Sequence, residues 1–217
     1  MNRSAVDFSL YLVTDRALAG ERPLASIVAA AVAGGVSVVQ IREKGADARA
    51  FLDEALALRR LLDAQGIPLI VNDRLDIALA CGAAGLHIGQ RDLPYAEARR
   101  LAGPGLLIGV SASTVDEAVA AERAGADYLG VSPVFATPTK TDAPAATGLD
   151  GLRRIRDAVR LPLVAIGGIH AGNAAAVLAA GADGLAVVSA IMAAADPRLA
   201  AAELREVVRR ATCSGGL

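Results

Sequence analysis

The chain has 217 residues, 54% of them hydrophobic and only 3% aromatic, with a formal net charge of −1. That length fits one barrel-sized domain better than two small ones, and the core must be built from Ala, Val, Leu and Ile. The near-neutral charge gives no electrostatic basis for binding nucleic acid or an anionic membrane, so any phosphate recognition must be local.

No apolar signal segment follows Met1, and Gly or charge breaks the longest apolar stretches short of a membrane span. Cys81 and Cys213 have no metal-ligand spacing. These features predict a cytoplasmic protein that acts on small molecules, with no nucleic-acid or membrane partner; a homo-oligomer is left open. Lys44 and Lys140 are the only lysines, every other basic side chain being Arg or His.

In chain order, short apolar runs read as strands at Leu10–Val13, Val36–Ile41, Leu69–Val71, Gly85–Ile88, Leu106–Val110, Tyr128–Val131, Leu163–Ile166 and Gly184–Val188. Helices are expected between and after them, near 24–34, 48–65, 75–82, 94–102, 115–124, 149–159, 173–180 and 197–211. A module recurs at Ala33-Gly34-Gly35-Val36, Cys81-Gly82-Ala83-Ala84, Ala124-Gly125-Ala126-Asp127 and Ala180-Gly181-Ala182-Asp183. In each, Gly just after a helical pattern predicts a left-handed C-cap, and a buried strand follows.

Strands apolar on both faces and alternating with helices argue a parallel sheet. Eight such units argue a closed barrel, and no GxGxxG stands at the first turn to support a dinucleotide-binding sheet. The predicted fold is α/β, a single (β/α)8 TIM barrel over residues 1–217 with a mobile tail at 212–217.

In such barrels the active site lies at the C-terminal strand ends, and the polar residues gather there. Val38, Gln40, Arg42 and Lys44 share one face if the second strand stays extended. A core has no use for unpaired cations, so an anion is expected beside them. Asn72-Asp73 ends the third strand, Gln90 and Asp92 follow the fourth, Ser111 ends the fifth, and Ser132 and Thr137-Pro138-Thr139-Lys140 follow the sixth.

Each of these residues also has a structural reading: Asn72-Asp73 as a turn or helix cap, Asp92 as a cap before Pro94, and Ser111 as a cap of the next helix. His87 reads as a core imidazole and His170 as a helix cap. Convergence on one barrel face favours function. Asp73 and Asp92 suit Mg²⁺, which takes few carboxylates and completes its shell with water and phosphate. Arg42, Lys44 and Lys140 suit a diphosphate. Gly167-Gly168 and Val188-Ser189 suit a second phosphate, held by backbone N–H groups after strands seven and eight.

The segments Tyr11–Asp15, Gln40–Lys44, Val71–Arg74, Gly85–Pro94, Ile108–Ser111, Gly130–Phe135, Thr137–Lys140, Ile166–Ile169 and Val188–Ile191 resemble the thiamine-phosphate synthase family, in order and over nearly the whole chain. The resemblance implies a transferase with Mg²⁺ as cofactor. It joins a hydroxymethylpyrimidine diphosphate to a thiazole phosphate, or to a carboxylated form that loses its carboxylate.

The resemblance assigns Gln40, Ile41, Arg42, Glu43, Lys44, Asn72, Ser111 and Lys140 to the pyrimidine diphosphate. Among these Arg42, Lys44, Ser111 and Lys140 are catalytic. It assigns Asp73 and Asp92 to the metal, and Thr137, Pro138, Thr139, Gly168, Val188 and Ser189 to the thiazole phosphate. Ser113 stands in a region where many relatives carry His. Alternatives are a thiazole tautomerase-like isomerase, which would need only the thiazole phosphate site, and a non-catalytic barrel that binds thiamine phosphate.

Overall fold

The computed structural model describes residues 6–137 and 146–214. Eight parallel strands among these residues close into a barrel in sequence order: β1 (Leu10–Val13), β2 (Val38–Ile41), β3 (Leu69–Asn72), β4 (Gly85–Ile88), β5 (Leu107–Ala112), β6 (Tyr128–Val131), β7 (Leu163–Ile166) and β8 (Gly184–Val187), with β8 pairing back onto β1. The (β/α)8 expectation is met.

The strands are apolar on both faces because each face has its own core. Outward residues such as Leu12, Val39, Ile41, Val71, Leu86 and Leu129 meet the surrounding helices. Inward residues Tyr11, Val38, Ile70, Leu107, Tyr128, Val164 and Ala186 fill the barrel. Register keeps inward residues side by side, as in Tyr11↔Val38, Gln40↔Ile70, Asn72↔His87, Gly109↔Tyr128 and Ser111↔Gly130.

The helices are α1 (Arg16–Ala19), α2 (Leu24–Ala33), α3 (Ala48–Asp63), α4 (Leu75–Ala80), α5 (Tyr95–Ala102), α6 (Val115–Ala124), α7 (Gly148–Ala158), α8 (Ala171–Ala179), α9 (Ser189–Met192) and α10 (Pro197–Ser214). The single-turn α1 and α9 are too short to leave a periodic pattern. α10 runs three residues beyond its expected end at 211, and Thr212 Oγ1 donates to Val208 O across 3.1 Å.

The recurring Gly module is a stop signal. Gly35, Gly82, Gly125 and Gly181 all have positive φ, between 64° and 105°. In the last two copies the following Asp ties strands together at the N-terminal face. Asp127 accepts from Ile108 N at 2.8 Å and pairs with Arg99, while Asp183 accepts from Leu163 N at 2.8 Å and pairs with Arg156. No helix among the described residues is long and apolar enough to cross a membrane.

Candidate active site

A cavity of about 440 Å³ opens at the C-terminal ends of the strands, within the size range of small-molecule sites. Gln40, Arg42, Lys44, Asn72, Asp73 and Asp92 line one side; Gly168, Val188 and Ser189 line the other, with Ser111 and Thr137 between them in sequence. Pro138, Thr139 and Lys140 lie outside the described residues.

β2 ends at Ile41, so the alternation expected through Lys44 stops there. The inward face is nonetheless kept. Gln40 is buried, Arg42 Nη1 donates to Asp15 Oδ2 at 3.3 Å, and Lys44 Nζ donates to Asp73 Oδ2 at 2.7 Å. The Arg42 backbone N–H is anchored on Thr14 Oγ1 at 3.0 Å. The side chains of Ile41 and Glu43 lie elsewhere: Ile41 in the outer core, Glu43 against Arg16 at 3.1 Å. Arg16 also contacts Glu54 of α3.

Neither carboxylate caps a helix. α4 starts after Arg74 and α5 after Pro94, each without a side-chain cap, and Thr114 caps α6 in place of Ser111. Asp92 instead accepts the Gly89 N–H at 2.7 Å. Asp73 is the one non-glycine residue among those described with positive φ, at 62°. Such strain gathers at functional positions.

The Asp73 and Asp92 carboxyls lie close enough to act on each other's ionisation. Burial pushes the Asp73 carboxyl up, but its hydrogen bond with Lys44, its interaction with Asp92 and the Lys44 charge hold it below the ordinary carboxylate range. Burial pushes Asp92 up, and Asp73 adds to that rise, which outweighs the Gly89 N–H and the Lys44 charge. A divalent cation would relieve this opposition. No group of three or more His, Cys, Asp or Glu among the described residues could hold a metal, but two carboxylates with free cavity space beside them fit the Mg²⁺ pattern.

The opposite side is built from backbone. Gly167 and Gly168 have φ of 108° and 64°, and a Cβ on Gly168 would lie 2.9 Å from Phe135 Cβ and 3.0 Å from Ala136 O. The glycines therefore serve the packing of the turn as well as approach to a ligand. Asn173 Nδ2 holds Gly168 O at 2.9 Å, and His170 caps α8, as its sequence position predicts.

Sequence reasoning missed several residues at the cavity. Tyr11, Tyr128 and His87 line its floor, and Glu117 holds the Ser113 N–H at 2.6 Å and the Ser113 hydroxyl at 2.9 Å. The available signal was Gly within strands: Gly109 and Gly130 leave room for the Tyr128 and His87 rings.

The fold and this cavity are those of a barrel enzyme for small-molecule substrates. The profile described as thiamine monophosphate synthase matches residues 10–191, and the chain belongs to that family of thiamine-synthesising transferases. The thiamine-phosphate synthase of Albidiferax ferrireducens is 59% identical over 92% of this chain and 91% of its own length. That of Chloroflexus aurantiacus is 57% identical over 94% of each. The structure of a thiamine phosphate pyrophosphorylase from Pyrococcus furiosus superposes with a TM-score of 0.88 at 41% identity, covering 95% of this chain and 98% of that one.

Proposed function

We propose that this chain condenses a hydroxymethylpyrimidine diphosphate with a thiazole phosphate, in the presence of Mg²⁺, to give thiamine phosphate and diphosphate. The observation that carries the reading is one cavity lined by two cations, Arg42 and Lys44, and two carboxyls, Asp73 and Asp92, with Lys44 donating to Asp73. Asp73 and Asp92 would hold Mg²⁺, which when bound neutralises charge on the departing diphosphate. Arg42, with its planar fork, and Lys44 and Lys140, as point charges, neutralise the rest.

The methylene C–O bond breaks with its electron pair leaving on the diphosphate. The amino-pyrimidine stabilises the resulting cation, and the thiazole nitrogen lone pair forms the new C–N bond. No protein nucleophile is required. The chain's task is to hold both substrates in line and keep the departing charge neutralised.

Gln40, Asn72 and Ser111 border the pyrimidine side. Thr137, Gly168, Val188 and Ser189 border the thiazole phosphate, with Pro138 and Thr139 assigned there by the family resemblance alone. Because the side chains of Ile41 and Glu43 point away, their share in substrate binding falls to backbone groups.

An isomerase of the thiazole phosphate would have no use for the carboxylate pair and the cations facing it. Incubation with both substrates and Mg²⁺, with chromatographic detection of thiamine phosphate, tests the reading. Product formation that stops with EDTA and returns with added Mg²⁺ supports it; isomerised thiazole without condensation refutes it.

A further inference from the structure

We propose that Tyr11, Tyr128 and His87 are positioning residues that aim the hydroxyl hydrogen of Ser111 into the cavity. The inference rests on the reading above, in which Ser111 touches the pyrimidine diphosphate.

The barrel interior holds an unbroken hydrogen-bonded chain. Gln40 Nε2 donates to Tyr11 Oη at 2.8 Å, and Tyr11 Oη lies 2.9 Å from Tyr128 Oη. Tyr128 Oη lies 3.0 Å from His87 Nδ1, and His87 Nε2 lies 2.9 Å from Ser111 Oγ. The strands are shaped to admit it. A Cβ on Gly109 would collide with the Tyr128 ring, and one on Gly130 would sit 2.8 Å from His87 Cε1.

Its first member sets its direction. An amide NH₂ group only donates, so Tyr11 Oη accepts from Gln40. The Tyr11 hydrogen then needs an acceptor in a fully buried site, and Tyr128 Oη is the one on this chain. Tyr128 in turn donates to His87 Nδ1. A neutral imidazole that accepts at Nδ1 carries its proton on Nε2 and donates to Ser111 Oγ. The Ser111 hydrogen is left to point at the cavity that its side chain lines. Burial pushes both tyrosines well above their ordinary range, so each keeps the proton that the chain requires.

Two measurements test this. The first is steady-state kinetics of Tyr128→Phe in the native and Ser111→Ala backgrounds, on variants confirmed as folded by thermal melting. A residue acting through Ser111 loses its effect once the hydroxyl is gone. The expected result is a fall in kcat/KM for the pyrimidine diphosphate of about 3- to 10-fold in the native background, the scale of one neutral hydrogen bond. Little further fall should follow in Ser111→Ala, and KM for the thiazole phosphate should not move. Equal losses in both backgrounds, or none in either, overturn the proposal.

The second is independent of activity. His170→Asn keeps a good helix cap and leaves His87 as the remaining histidine, since the chain has two. Its ¹⁵N spectrum at pH 8 should show the Nε2–H tautomer. The Nδ1–H tautomer would reverse the bonds between Tyr11 and Ser111, leaving only the Gln40 donation as it is, and turn the Ser111 proton inward; an imidazolium would break the chain, and either result overturns the proposal. If the native enzyme forms no thiamine phosphate, the proposed function fails, and the tautomer still decides the direction of the chain.

Discussion

Lys44 Nζ stands 2.7 Å from Asp73 Oδ2, joining the loop after β2 to the end of β3. Lys44 is more than half exposed, so the pair adds little to stability, about 0–1 kcal/mol. Its meaning lies in placement: a cation and a carboxylate share the rim of one cavity.

Asp73→Asn should therefore separate function from folding. Asn tolerates the left-handed backbone that Asp73 adopts, whereas Ala would add strain. Turnover should fall by about 10²-fold or more, while Tm moves by no more than about 4 °C. Activity and melting temperature measured on the same preparation decide it; matched losses would mean that Asp73 serves the turn.

Truncating Arg42 or Lys140 to Ala should lower kcat/KM for the pyrimidine diphosphate by about 10²-fold, the scale of losing one group that stabilises departing charge. KM for the thiazole phosphate should stay near its native value. An effect confined to that second KM would show that the two anions are assigned to the wrong sides.

The glycine turn after β7 makes a comparative prediction. Gly20 and Gly168 have φ of 60° and 64°, but a Cβ at Gly20 meets open space while one at Gly168 meets Phe135 and Ala136. Both Ala variants carry backbone strain, about 1–3 kcal/mol, and Gly168→Ala adds a clash. Gly168→Ala should show the larger fall in Tm, with a raised KM for the thiazole phosphate. Equal melting temperatures would count against this packing.

The two cysteines should differ in reactivity. Cys81 is buried and burial pushes its thiol up, whereas Cys213 is exposed on α10. The thiolate is the reactive form. A thiol reagent at neutral pH should modify Cys213 in the folded protein and reach Cys81 only after unfolding, as mass spectrometry of the labelled peptides would show.

The barrel was legible because strand and helix alternate with Gly stops, and each stop glycine does adopt positive φ. That Asp73 and Asp92 share one cavity was legible because two acidic residues follow adjacent strands. The interior chain was not. Tyr11 and Tyr128 sit in apolar runs and read as core, and their hydroxyl partners come from other strands. His87 reads as a packing imidazole until Gly130 is seen to make room for it. Glu43 was legible in part: alternation turns it away from Arg42 and toward surface charge, where it meets Arg16. The contact between Asp15 and Arg42 crosses from one strand end to the next and leaves no local pattern.

Calorimetric titration of the pyrimidine diphosphate, with and without Mg²⁺, into the native protein and into a variant carrying both Asp73→Asn and Asp92→Asn tests the central claim most directly. The account predicts tight binding by the native protein only when Mg²⁺ is present, and loss of that Mg²⁺-dependent gain in the variant. Equal binding by the native protein with and without Mg²⁺, or an undiminished Mg²⁺ gain in the variant, would contradict it.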